Sequence, residues 1–285
     1  MAARIATRTL RSDDLEQELV EKGWVVVPLL DQSEVARLRA FYEAGSVDDR
    51  HLTEGAYDPT YAEFSVIHST SVFRAEAFSE VVEVTAPSVG RLLAGHRPLV
   101  ANFVNKPPGT GVVPVHQNWS VVDESRYRSV SVWIALVDCV SDNGTLELLA
   151  GSHRRLREPR GMWAYEAFER AHDEVIRHLD RVDVPAGHAI VLDDAVVHYS
   201  PPNRTNADRL AIQLIMVPED APGLFCERVE DHGPTSTVKV WEVTPPFFFD
   251  FWHGSGDERF GRVVDEREIP VGSFDAEAFR RCFLD

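Results

Sequence analysis

Two histidines, an asparagine and an arginine stand where they could hold a metal and a carboxylate. His116-Gln117-Asn118 closes an apolar run that reads as a strand, in which residues 116 and 118 share one face and 117 points elsewhere. The run from Gly187 to Ser200 contains a second histidine near its end, His198, and Arg209 follows at the head of another apolar run. Two imidazoles from distant stretches with a guanidinium downstream suggest a facial iron site beside an anchor for a dicarboxylate. The neighbours of Arg209, Leu210-Ala-Ile-Gln-Leu-Ile, suggest that it projects into a barrel, where an unpaired charge is costly and an anionic partner is needed.

Other residues of the same types read more plainly. A lone histidine in a strand is usually a core or edge residue, and His188, after the turn Pro185-Ala-Gly187, reads as facing solvent or loop. Asp123 lies at odd spacing from His116 and falls on the opposite strand face unless a turn at Trp119-Ser120 intervenes. Trp119, Trp163, Trp241 and the run Pro245-Pro-Phe-Phe-Phe-Asp-Phe-Trp252 either line a mouth or close the barrel, and closure is the simpler reading. Cys139, Cys226 and Cys282 are widely spaced and odd in number, so neither a disulfide framework nor a thiolate zinc site is expected.

The elements that must position these residues follow from local signals. Asp13 and Glu16 have capping-box spacing, Leu15 and Leu19 lie one turn apart, and Gly23 stops the pattern, which predicts a helix over 13–22. Trp24-Val-Val-Val-Pro-Leu-Leu predicts a strand, and Asp31-Gln-Ser-Glu34 starts a second helix carrying Val35, Leu38 and Phe41. Residues 47–80 read as polar and irregular, and 78–93 as helical despite Pro87. From Leu99 the texture changes to short strands, at 99–105, 112–116, 129–139, 145–149, 188–193, 196–199, 209–217 and 236–242. One helical insertion, about 162–179, interrupts them. Many short strands imply a sandwich or barrel, and the absence of repeats or linkers implies one domain.

Composition bounds the partners. The 285 residues carry 29 Lys plus Arg against 46 Asp plus Glu, a formal charge of −17, which makes nucleic acid and anionic membrane poor partners. No apolar run is long enough to span a bilayer, and the opening Met1-Ala-Ala-Arg-Ile-Ala-Thr-Arg lacks an apolar export segment, so a cytoplasmic location is expected.

The order and spacing of several blocks resemble the phytanoyl-CoA dioxygenase (PhyH) family of non-haem Fe(II), 2-oxoglutarate-dependent oxygenases. The blocks are Lys22-Gly-Trp-Val-Val-Val-Pro-Leu-Leu-Asp-Gln-Ser-Glu34, His116-Gln-Asn-Trp-Ser-Val-Val-Asp-Glu124, Trp133-Ile-Ala-Leu, Asn143-Gly-Thr-Leu-Glu-Leu-Leu-Ala-Gly-Ser-His153, and His198 to Arg209. The resemblance implies a mainly β fold with flanking helices, the double-stranded β-helix or cupin-like jelly roll. Its helical part would cover about 1–97, its core 98–245, and a C-terminal extension 246–285. It implies Fe(II) and 2-oxoglutarate as cofactors and O2 with a small-molecule substrate as partners. Succinate and CO2 would be released as a C–H bond is oxidised, most simply by hydroxylation. His116 and His198 would be the imidazole ligands, Arg209 the carboxylate anchor, and Ser200 a hydrogen-bonding partner of that carboxylate. Gln117, Trp133, Asn102 and Lys106 would contact the co-substrate, and His153 would be structural.

One position departs from the family. The motif is His-x-Asp, and Asn118 stands in the place of the aspartate. A neutral amide is a poorer Fe(II) ligand than a carboxylate and leaves the centre one unit more positive. Four readings follow: an isolated or engineered Asp→Asn change, an oxygenase that uses the amide oxygen or water, a halogenase-like site, or a non-catalytic family member that binds a small molecule.

Overall fold

The computed structural model describes residues 8–45, 49, 60–250, 256 and 258–285. The first helix, α1 (Asp13–Lys22), is capped one residue earlier than expected, because the Ser12 side chain accepts from the Leu15 amide. Glu16 is thereby released, and its carboxylate instead accepts from the amides of Thr9 and Leu10 at 3.0 and 2.7 Å. Gly23 ends the helix at φ 100°, a left-handed conformation that favours glycine. Strand β1 (Trp24–Pro28) and helix α2 (Gln32–Ala44) follow, the latter with the Asp31/Glu34 capping box complete.

The stretch read as irregular is more ordered than its polarity suggests. It holds β2 (Glu63–Phe64), the short α3 (Ser65–His68), and the first turns of α4 (Ser71–Leu92). Thr70 caps α4, and Phe73, Ala77, Val81, Val84 and Ser88 bury one stripe at helical spacing; Pro87 is accommodated inside the helix.

Two antiparallel sheets form the body. The larger contains β1, β8 (His188–Asp193), β5 (Val130–Ala135), β10 (Arg209–Pro218), β3 (His96–Lys106) and β2, in that order. The smaller contains β4 (Val113–His116), β9 (His198–Ser200), β6 (Leu146–Leu148) and β7 (Asp180–Val182). This is the jelly roll. His188 begins β8 and is half-buried, so it belongs to a strand rather than to a solvent-facing loop.

The pleat sorts the larger sheet into two faces. Val130, Val132 and Ile134 of β5 and Leu210, Ile212 and Leu214 of β10 pack with Leu19, Leu38, Phe73 and Val81 of the helices. The alternate residues, Trp133 and Ala135 of β5 and Ala211 of β10, pack inward with Leu146 and Leu148 of the smaller sheet.

The expected helical insertion is a tighter coil. It runs as 3-10 helix over Ala164–Ala171 and 176–178, with only α5 (His172–Val175) fully helical between them. A third sheet of β11 (Gly223–Asp231), β12 (Thr235–Val243) and β13 (Gly261–Pro270) completes the strands. Only β12 was legible beforehand, because β11 and β13 carry charged residues along solvent-exposed stretches. In α6 (Pro245–Asp250), Phe247 and Phe248 are buried in one cluster with Phe225 and Trp241, whereas Trp252 lies outside the described residues. The last helix, α7 (Ala276–Phe283), packs Phe279 and Phe283 against Phe168 and Val175. Among the described residues no helix is long and apolar enough to cross a membrane.

Candidate active site

His116, at the end of β4, pairs in register with His198, the first residue of β9. Facing positions on adjacent antiparallel strands bring side chains together, and the ring centroids lie 4.1 Å apart with planes inclined by 49°. Each Nδ1 faces a backbone carbonyl two residues back, Pro114 O at 2.8 Å and Val196 O at 2.9 Å. Donation from Nδ1–H leaves the lone pair on Nε2, the tautomer required of a metal ligand. Burial lowers the pKa of His116 to about 4 and that of His198 well below the ordinary value, so both are neutral at pH 7.

Asn118 reaches the same cavity by another route. Strand β4 ends at His116, so hydrogen bonds rather than the pleat fix the asparagine. Its Nδ2 donates to Ser131 Oγ at 3.1 Å and Asp194 Oδ1 at 2.9 Å, while Gln213 Nε2 donates to its Oδ1 at 3.3 Å. Its main-chain oxygen accepts from Arg160 Nε at 2.9 Å, and Arg160 is itself held in a buried two-pronged pair with Glu124. The Asn118 side chain is also a hydrogen-bond partner of His116, favouring the protonated ring.

Asp194 and Gln213 were not singled out in the sequence. The signal for the first was the doublet Asp193-Asp194 inside an apolar run. Asp193 turns to Arg128 and Arg157, whereas Asp194 is buried behind Asn118. Burial raises the Asp194 carboxyl to about 6, opposed by hydrogen bonds from Ser131 and Asn118.

Arg209 opens β10 and is 1% exposed. It lies 5.3 Å from the Trp133 ring centroid, and its Nε and Nη1 are buried without hydrogen-bond partners. Burial lowers its pKa to about 10. A cavity of about 190 Å³ brings His116, Asn118, His198, Ser200, Arg209 and Trp133 together, with Asn102 and Gln213 on the same wall.

Three expectations change. Ser200 lines the cavity, but its hydroxyl donates to Gly144 O at 2.8 Å, so its proton is not available to an incoming carboxylate in this arrangement. Gln117, just beyond the end of β4, points away, its amide held by donation to Leu156 O and Ala195 O. Lys106 is fully buried behind the wall, its ammonium donating to Ser200 O and Pro201 O rather than into the cavity. Burial and the neighbouring Arg209 hold its pKa well below the usual lysine value.

Trp119 and Ile67 both pack on the cluster of Phe247 and Phe248 and line the cavity, which Met162 and Tyr165 line as well. Trp163 instead lies under Arg228. Asp123 caps a surface turn through Ser125. His153 packs against α1, its Nε2 donating to Val20 O at 3.1 Å. Among the described residues, no group of three or more His, Cys, Asp or Glu is arranged to hold a metal ion.

Two antiparallel sheets closed over a cavity that carries a histidine pair and a buried arginine define a jelly-roll protein of the oxygenase type. The family model described as Phytanoyl-CoA dioxygenase (PhyH) matches residues 19–211, and the chain belongs to that family. The chain is 26% identical over 193 residues to a phytanoyl-CoA dioxygenase domain-containing protein 1 homolog of Dictyostelium discoideum, covering 65% of this chain and 68% of that protein. It is 27% identical over 203 residues to phytanoyl-CoA dioxygenase domain-containing protein 1 of Danio rerio, covering 61% and 62%. Among solved structures it resembles SnoK, a non-heme alpha ketoglutarate dependent carbocyclase from nogalamycin biosynthesis. That likeness has a TM-score of 0.55 and 20% identity, over 74% of this chain and 86% of the other. EvdO2 from Micromonospora carbonacea var. aurantiaca, solved with 2-oxoglutarate, has a TM-score of 0.51 and 21% identity, over 81% and 97%. These likenesses establish the fold.

Proposed function

We propose that the chain is a non-haem Fe(II), 2-oxoglutarate-dependent oxygenase that hydroxylates a C–H bond of a small, largely apolar molecule, with the whole chain acting as one domain. The observation that carries this reading is Arg209: a buried guanidinium with two unpartnered nitrogens, on the same cavity as two neutral imidazoles whose Nδ1 atoms are turned to backbone carbonyls. A buried cation without a partner is costly unless a ligand completes it, and a carboxylate matches the guanidinium fork.

The residues fit both cofactors, the metal less tightly than a carboxylate-bearing site would. His116 and His198 would hold Fe(II), with the Asn118 carboxamide oxygen at the third place. Arg209 would bind the distal carboxylate of 2-oxoglutarate, and Trp133 keeps the guanidinium in place beside its ring. Fe(II) and 2-oxoglutarate, held there, would supply the chemistry of hydroxylation by O2, one oxygen atom going to the substrate carbon and the other to succinate as CO2 leaves. The chain's own contribution is placement and exclusion of water: Ile67, Trp119 and Met162 give the cavity an apolar wall, which suits an apolar substrate. The three cysteines are free thiols, which suits the reducing cytoplasm.

Asn118 favours a second reading, a family member that binds 2-oxoglutarate or a related carboxylate without turnover. A halogenase-like site is less well supported, since the pinned Asn118 side chain fills the place that a small residue would open to halide. Anaerobic addition of Fe(II) and 2-oxoglutarate separates the readings. An oxygenase gives a weak visible charge-transfer band and, with O2 and a substrate panel, succinate and an oxidised product by mass spectrometry. Binding of 2-oxoglutarate with no band and no succinate supports the binding protein, and failure to bind it overturns both.

A further inference from the structure

A line of side-chain amides crosses the cavity wall and ends on a carboxylate. Asn102 Nδ2, on β3, donates to Gln213 Oε1 at 3.1 Å, and Gln213 Nε2, on β10, donates to Asn118 Oδ1 at 3.3 Å. Asn118 Nδ2 then donates to Asp194 Oδ1 at 2.9 Å. The Ser131 hydroxyl sits at the junction. It donates to the same Asp194 oxygen at 2.6 Å and accepts from Asn118 Nδ2 at 3.1 Å.

The direction of this line has one source. A carboxamide can be turned end for end with little change of shape, so its orientation is set by its partners. A carboxylate only accepts. Asp194 therefore draws the Asn118 nitrogen to itself and leaves the oxygen on the opposite side, where it receives Gln213. Turned the other way, Asn118 would offer the metal an NH2 group, which has no lone pair to give.

We propose that Asp194 is a positioning residue of the metal centre. It turns Asn118 so that the amide oxygen faces the ligand position, and it places a carboxylate one hydrogen bond behind that amide. This rests on the reading of His116 and His198 as metal ligands. The carboxylate that the family motif puts at residue 118 is thus held one step outward, and Asp194 does not line the cavity itself.

A double-mutant cycle tests the inference without turnover, using Co(II) alone as the probe and its visible ligand-field absorption as the readout. In the otherwise unaltered protein, Asp194→Asn keeps the shape but removes the acceptor-only partner, and Co(II) affinity should fall about 10- to 100-fold. In the Asn118→Asp background the same substitution should act with the opposite sign. There the introduced amide donates to the introduced carboxylate, whereas Asn118→Asp alone forces two carboxylates together across the contact now made at 2.9 Å. The exchanged pair should therefore bind Co(II) at least as tightly as the unaltered protein. Thermal unfolding of each metal-free variant confirms that it is folded before titration.

A reversal of sign between the two backgrounds supports the inference. Equal effects in both backgrounds, or none, overturn it while leaving the metal reading intact. Absence of Co(II) binding to the unaltered protein, or binding undiminished by His116→Ala, overturns the metal reading and this inference with it.

Discussion

Replacing Arg209 by methionine should stabilise the empty protein and abolish its response to 2-oxoglutarate. The guanidinium is 1% exposed with Nε and Nη1 unpartnered, and burial lowers its pKa from the ordinary arginine value to about 10. At 1.36 kcal/mol for each tenfold change in acidity, that is a native-state cost of about 3 kcal/mol. The Trp133 ring returns about 1 kcal/mol of it. Arg209→Met, of similar length and no charge, should therefore raise the stability of the ligand-free protein by about 2 kcal/mol, several degrees in Tm for a chain of this size. The ligand arm goes the other way. Losing one member of a buried charge pair costs about 2–5 kcal/mol, so the Kd for 2-oxoglutarate should rise by about 30- to 4,000-fold. Calorimetry of 2-oxoglutarate binding to the Fe(II)-loaded protein without O2, alongside thermal unfolding of the empty protein, measures both arms. A Kd unchanged within threefold would refute the anchor and move it elsewhere in the wall, and a lowered Tm would refute the argument that the charge is uncompensated.

Other substitutions and conditions probe the surrounding fold. Gly23→Ala should destabilise by about 1–3 kcal/mol in chemical denaturation, because a Cβ there would lie 2.5 Å from Val196 Cγ2 and 2.6 Å from His153 Nδ1, at a φ of +100°; a neutral result would show that the α1–β1 junction is not tight. Burial pushes the thiols of Cys139 and Cys226 up to about 11 and about 12, so a thiol reagent at pH 8 should label only the half-buried Cys282 in the native chain and all three after denaturation. Burial holds His96 and His153 below their ordinary value of 6.5, so below that pH the unfolded chain binds more protons than the native one. Stability should accordingly fall as pH drops through 6.5 toward 5, with a shallower slope for His153→Gln, and a slope of opposite sign would be incompatible with neutral buried rings.

The parts of the molecule legible beforehand are those where one local rule acts alone. Gly23 stops a helix and Asp31 with Glu34 starts one because each cap is made within a few residues. Arg209 was readable because a charge inside Leu210-Ala-Ile-Gln-Leu-Ile must find a partner wherever the strand goes. Asp194 was not readable, since nothing in Ile190 to Val197 tells that its first acid meets two arginines and its second an amide from a segment far away in the chain. Lys106 failed for a related reason: its position on β3 points it inward, but Ser200 O and Pro201 O, from the strand end opposite, capture the ammonium before it reaches the cavity.

Strand β10 explains how such a cavity survives inside a packed domain. Its alternate residues divide the work: Leu210, Ile212 and Leu214 bind the helices to the sheet, while Arg209, Gln213 and Ile215 face the cavity. A slip of one residue would exchange the two sets, driving the guanidinium into the helical core and Leu210 into the cavity. The register is held from both sides, with Gln213 opposite Asn102 on β3 and opposite Trp133 on β5. The apolar burial on one face thus supplies the free energy that keeps an uncompensated cation on the other, and the smaller sheet needs only to bring His116 and His198 across from it.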